Sequence, residues 1–257
     1  MKSNTFHLQG YKITKQFRLD SLPASKTVIS TINPHSFVVA GKDALFRQAL
    51  QESDILLPDG IGIVLAARIL WGERFCKFSG YDLHYMILQQ LNLLSGRCFY
   101  LGSSNSILFK IKKRLAREFP NIQSNSYSPP YKEDFTEGEN TAIINAVNQF
   151  HPDVLFIGMT APKQEKWVHQ NKAALYAPLL CSVGGVFDFY AGTIKRAPRW
   201  TIACGIEWLY RLLKEPKRMW KRNCISTPLF ISMMIALKFR ARDWQGNPAT
   251  TRQISIK

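Results

Sequence analysis

The best candidates for chemistry in this chain sit where apolar runs end. At ILLPDGIGIV (55–64), the run Ile55-Leu56-Leu57 stops at Pro58-Asp59-Gly60 and a second apolar run begins at Ile61. Proline ends a strand because it has no N–H for the ladder. Asp59 has two readings. Asp is a favoured N-cap, accepting from the free N–H groups of the next helical turn. A lone carboxylate just past a strand end also stands where ligands bind in an open α/β sheet.

Other junctions add to this one. Gly102-Ser103-Ser104-Asn105 follows the apolar RCFYL and can cradle a phosphate on backbone N–H groups and a helix N-terminus, or be a plain turn. Thr160-Ala161-Pro162-Lys163-Gln164-Glu165 places proline where a helix starts. In VGGVFDFYAGTIKRAPRW (183–200), two phenylalanines flank Asp188, which suits a base or sugar ring and equally a packed loop.

Several chemistries lack their residues. No Asp-x-Asp is present to hold a divalent metal against a diphosphate, so Lys, Arg and backbone N–H would carry that charge, and no metal or cofactor is expected. Gly60-Ile61-Gly62 has Leu65 where a dinucleotide fingerprint needs its third glycine, which argues against a nicotinamide oxidoreductase. There is no G-x-S-x-G, HExxH or GxxxxGK[ST]. His35, His84, His151 and His169 show no partner in the sequence and read as packing or surface residues. The five cysteines form no CxxC and have no histidine at zinc spacing, which fits thiols in a reducing cytosol.

The elements that must position these residues alternate. Strands are expected at 27–33, 54–57, 97–101, 153–158 and 179–184. Helices are expected at 42–52, 60–71, 81–94, 106–118, 141–150 and from Pro162, with a loop at 127–140. Repeated β-loop-α units over 257 residues imply an α/β fold, a mostly parallel sheet with helices on both faces. Asp59, Gly102 and Thr160 then converge beyond the carboxyl ends of the strands.

The net charge of +16 is uneven. From Lys195 to Lys257 there are 14 Lys/Arg against three acids, a net of +11. This stretch interleaves Leu, Tyr, Met and Trp with the basic residues, and its apolar run ISTPLFISMMIAL (225–237) is shorter than the roughly 20 residues a spanning helix needs. Residues 208–242 therefore read as helical pieces on an anionic membrane surface, or as helices packed on the domain with a solvated basic face. Nucleic acid is the rival anionic partner; the confinement of charge to a stretch rich in Trp, Met and Phe argues against it. The N-terminus MKSNTFHLQGYKITKQF shows no secretory h-region, and a cytoplasmic protein is expected.

Eight motifs occur in order: TINP (31–34), ILLPDGIGIV (55–64), SGYDL (79–83), YLGSS (100–104), YSPPY (127–131), APKQEKW (161–167), VGGVFDFYAGTIKRAP (183–198) and IEWLYRLLKEPKR (206–218). Together they resemble the WecG/TagA/CpsF family of glycosyltransferases (glycosyltransferase family 26), over roughly residues 25–222. The resemblance implies a Rossmann-like, GT-E-type fold. It also implies inverting transfer of a sugar, N-acetylmannosamine-type or another hexose, from a nucleotide diphosphate donor, usually UDP-linked. The acceptor would be a polyprenyl-diphosphate-linked sugar in cell-surface polysaccharide synthesis, reached from the inner face of the membrane.

The family's catalytic aspartate falls at Asp59, which is now read as general base, a role compatible with capping. By the same resemblance Thr31 and Asn33 position a sugar, Gln164 and Asp188 belong to the donor site, and Tyr131 stacks on uracil. Lys77 stands where the family often has Arg and keeps the charge without the bidentate fork. The glycine-rich phosphate loop is Gly102-Ser103, with one glycine. Arg211, Arg218 and Arg222 stand at positions resembling those that reach the diphosphate. The expected organisation is a catalytic domain over 1–205 and a basic, membrane-associating appendage over 206–257. A homo-oligomer is left open.

Overall fold

The computed structural model describes residues 4–195, 197–198, 201 and 207–245, with the side chains of all but 218 and 240–245. Among them, eight strands form one sheet: β1 (Thr5–Leu8), β2 (Tyr11–Thr14), β3 (Thr27–Ile32), β4 (Ile55–Pro58), β5 (Arg97–Gly102), β6 (Gln123–Tyr127), β7 (Val154–Gly158) and β8 (Leu179–Ser182). Their spatial order is β1-β2-β4-β3-β8-β7-β5-β6, all parallel except edge strand β1. The expected α/β architecture is present.

Residues in β5, β7 and β8 alternate between two cores, as period-2 side chains must. Cys98, Tyr100, Val154, Phe156 and Cys181 join a core with helices α4 (Gly80–Leu93), α5 (Asn105–Glu118) and the short α8 (Val186–Tyr190). Phe99, Leu101, Leu155, Ile157 and Leu180 join another with α6 (Glu137–Phe150) and α7 (Lys163–Asn171). Burial on both faces explains why these strands read as continuous apolar runs.

A third core gathers the hairpin residues Leu8 and Ile13 with α1 (Pro34–Ala40), α2 (Ala44–Gln51) and α3 (Ile61–Trp71). The C-terminal stretch folds as α9 (Glu207–Lys214), α10 (Pro216–Trp220), a π turn (Lys221–Ser226) and α11 (Thr227–Gln245). Phe230 and Met234 of α11 are buried in this third core, and α11 contacts α1 and α3. The basic tail is thus seated on the domain.

Three differences from the sequence expectation have physical causes. The β1–β2 hairpin lies where no strand was expected, closed by the two-residue turn Gln9-Gly10 with both φ positive. Strand β6 (QSNSY) bonds only β5 and is polar, so it carries no apolar signature. Helix α6 starts four residues before 141, because Thr136 and Glu139 form a capping box inside the expected loop.

Candidate active site

The strand register brings the candidates together. Ile32 pairs with Pro58, and Asp59 N donates to Ile32 O at 2.8 Å, so Asn33 and Asp59 leave the sheet side by side. Beside them, Ile157 pairs with Ser182 and its carbonyl accepts from Val183 N at 3.0 Å, so the segments that follow β7 and β8 leave the sheet together. A cavity of about 210 Å³ opens there, beyond the carboxyl ends of β3, β4, β7 and β8. Thr31, Asn33, Asp59, Gln164, Arg211 and Arg222 all line it.

The turn removes the capping reading of Asp59. The cap position of α3 is Gly60, with φ +84, and no side chain caps the helix. Glycine is suited there because an L side chain is strained at positive φ. The Asp59 carboxylate instead lies 3.7 Å from Arg222 Nη2, both groups being about a quarter exposed. Asn33 does cap: its Oδ1 accepts from Ser36 N at 3.0 Å and Ser36 Oγ accepts from Asn33 N at 2.8 Å. Its sequence-assigned role therefore shares the side chain with a capping box that opens α1.

The appendage closes one wall. Arg211 and Arg222 reach the cavity from α9 and the π turn, a distortion often found at functional sites. Arg211 lies over the Phe189 ring, with Cζ 5.2 Å from its centroid. Lys77 lines a smaller adjoining pocket of about 70 Å³, where its Nζ donates to Glu207 Oε2 at 2.6 Å. Lys77 is thus held by an appendage carboxylate. His35 Nδ1 lies 2.8 Å from Ser226 Oγ, and burial, with Arg222 nearby, holds its pKa below the usual histidine range.

The opposite wall holds a buried pair. Gln164 and Glu165, each 3% exposed, line the cavity from the first turn of α7, and Gln164 Nε2 donates to Glu165 Oε1 at 2.8 Å. Gln164 Oε1 and Glu165 Oε2 are buried and lack partners among the described residues. Each such acceptor costs about 1–3 kcal/mol in the empty protein. Burial pushes Glu165 up to about 7. Thr160 has φ +67, a strained value for a β-branched residue.

Other sequence candidates lie elsewhere. Gly102 (φ +113) and Ser103 (φ +60) end β5 away from the cavity lining. Glycine is required at 102 by packing, since a Cβ would stand 2.6 Å from Gly158 O. Tyr131 is fully exposed on the loop before α6. Asp188 sits in α8 outside the cavity lining, although its neighbour Phe189 is part of it. Arg218 lies in α10, with its side chain outside the described set.

Thr160 and Phe189, expected at a cleft and beside a ring, line the cavity, as does His35, which read as a packing or surface residue; sequence reasoning assigned no role to Glu165 or the Ser79-Gly80-Tyr81 segment, which line it too. The last lies within a motif that carried the resemblance, and Glu165 is adjacent to a selected residue, so position was the available signal. His84 and His151 match the packing expectation: the first bonds Tyr100 in the core, the second ends α6.

The family model described as "Glycosyl transferase WecG/TagA/CpsF family" matches residues 12–243. Among curated relatives, the N-acetylglucosaminyldiphosphoundecaprenol N-acetyl-beta-D-mannosaminyltransferase of Bacillus subtilis (strain 168) is 33% identical over 195 residues, 76% of this chain and 74% of its own. The protein of the same name from Bacillus spizizenii is 30% identical over 207 residues, covering 80% and 78%. That from Staphylococcus aureus (strain MW2) is 27% identical over 228 residues, covering 89% and 87%.

Proposed function

The chain belongs to the WecG/TagA/CpsF family of glycosyltransferases, and from that premise we propose that it moves an N-acetylmannosamine-type sugar from a UDP-linked donor to polyprenyl-diphosphate-linked N-acetylglucosamine, with inversion. The observation that carries this reading is the Asp59 carboxylate 3.7 Å from Arg222 in one crevice with Thr31 and Gln164. In this reading Asp59 takes the proton of the acceptor hydroxyl as its oxygen bonds the anomeric carbon. The bond from that carbon to the diphosphate oxygen breaks on the far side, and UDP leaves with the electron pair. Arg211 and Arg222 stabilise the charge that develops there. Turnover should therefore survive EDTA.

The same reading puts the protein on the membrane where the acceptor lies, as a peripheral protein of the inner face. No helix among the described residues is long and apolar enough to cross a membrane. Helices α3 and α11, which touch, leave large apolar side chains on the surface: Ile61, Leu65 and Ile69 on one, Ile231, Ile235 and Phe239 on the other are exposed. Lys214, Lys217 and Lys221 add charge for anionic lipid. A screen of UDP- and GDP-sugars with the lipid-linked acceptor, scored by nucleotide diphosphate release, tests the reading. Release with UDP-N-acetylmannosamine that requires acceptor is expected; no acceptor-dependent release with any donor would overturn it.

A further inference from the structure

We infer that Glu165 is a positioning residue that locks the Gln164 amide, so that the pair presents acceptor oxygens to hydrogen-bond donors on the sugar in the cavity. This deepens the proposed function and rests on it. Glu165 stands in the first turn of α7, where an acidic side chain ordinarily faces solvent beside the free N–H groups. Here it is buried, and among the described residues no Lys or Arg lies within ion-pair distance. Its bond to Gln164 fixes the amide: Nε2 is taken by Glu165 Oε1, which leaves Gln164 Oε1 as a buried acceptor without a partner among the described residues, on a side chain that lines the cavity. The amide stands beside Gly184, where a Cβ would lie 3.6 Å from its nitrogen and 3.7 Å from its oxygen.

Gln164 Oε1 is a buried acceptor without a donor among the described residues, and Glu165 Oε2 is another whenever its carboxyl is ionised; a ligand that brings donors relieves them. Sugar hydroxyls and an acetamido N–H are such donors; a phosphate, which offers only acceptors at neutral pH, is not. This assigns the Gln164–Glu165 wall to the sugar and the Arg211–Arg222 wall to the diphosphate. A site built to receive donors discriminates against analogues that lack them, because its buried groups are then left unpaired.

The account makes Glu165 costly to stability and useful to binding, which separates it from a structural residue. Full-length wild type, Glu165→Met and Glu165→Gln are compared in donor kinetics with UDP-N-acetylmannosamine and lipid-linked acceptor, and in melting without substrate. Met fills similar volume without acceptors: its donor KM should rise at least about tenfold while its melting temperature equals or exceeds wild type. Gln keeps an acceptor for Gln164 Nε2 and should stay within about threefold of wild-type KM. A Met variant that melts below wild type or fails to fold makes the carboxyl structural and overturns the inference. Unchanged KM in Met, or an equal shift in Gln, overturns it too. Absence of wild-type turnover with any nucleotide sugar overturns the donor reading and this inference with it, whereas the other outcomes overturn this inference alone.

Discussion

The two sides of the crevice are held in different ways. On the sheet side, Thr31 lies in β3 and Asp59 and Gln164 follow β4 and β7, strands whose register is fixed by neighbours; Asp59 N itself donates to Ile32 O. On the appendage side, Arg211 and Arg222 depend on contacts made far along the chain: Lys77 with Glu207, Arg222 with Asp59, His35 with Ser226, and Phe230 in the third core. Sheet register is over-determined, because a slip would turn every buried side chain outward. Among the described residues, the appendage rests on a few polar contacts and the buried side chains Met219, Ser226, Phe230 and Met234. Asp59 is therefore built into the frame of the sheet, while Arg211 and Arg222 are carried by a part joined to it through fewer contacts.

The hardest test of that contrast is Phe230→Ala. Emptying a fully buried aromatic site costs about 3–5 kcal/mol. The loss should fall on the appendage, giving faster proteolytic cleavage after residue 206 while α4–α6 stay protected from hydrogen exchange. Uniform loss of protection would erase the distinction between the two sides.

Arg222→Ala should cost less and act on chemistry. Removing a donor to the leaving diphosphate typically lowers kcat by about 10²–10³-fold, with little change in melting temperature. A change confined to donor KM would move Arg222 from the transition state to ground-state binding.

The buried wall gives a pH signature. Glu165 has its folded pKa raised from the ordinary 4.5 to about 7. Between those values the folded carboxyl keeps a proton that the unfolded chain has lost. Its contribution to stability is thus full below about 4.5, is lost as pH rises toward 7, and is flat above. The loss should be on the order of 3 kcal/mol relative to Glu165→Gln, in denaturant titrations at several pH values. His35, Asp59, Glu207, Arg211 and Arg222 share the cavity and are common to both proteins, so the difference isolates Glu165. Equal slopes in the two proteins would refute the assignment.

The smallest effect belongs to Lys77→Ala. Its pair with Glu207 is partly exposed, and such pairs are worth about 1 kcal/mol or less. A few-fold loss of turnover is expected, rescued in part by removing Glu207 as well. A loss as large as that of Arg222→Ala would give Lys77 a direct role on the diphosphate.

What was legible in the sequence follows the same division. Strands buried on both faces, such as DVLFIG, announce themselves, and so do the junctions that carry Asp59 and Gln164. The hairpin was readable too, as Phe6 and Leu8 alternate with polar residues before Gln9-Gly10, but it is short. Strand β6 was not, because an edge strand with polar side chains differs little from a loop. Residue choice at Asp59 fitted a cap as well as a base; the backbone at Gly60 excludes the cap, which no local pattern announced. The burial of Glu165 depends on how α7 meets α2 and β8, a tertiary fact that no local pattern encodes. Tyr131 and Gly102 were chosen from motif positions, and the fold sets both outside the cavity lining.

The central claim is that Asp59 takes the acceptor's proton, and Asp59→Asn tests it most directly. The substitution keeps the shape of the side chain and touches no cap, since Gly60 occupies that position. With UDP-N-acetylmannosamine and the lipid-linked acceptor, kcat should fall by about 10²–10⁴-fold while donor affinity and melting temperature stay near wild type. A variant that turns over within a few-fold of wild type would contradict the account and leave Asp59 as no more than the counter-ion of Arg222.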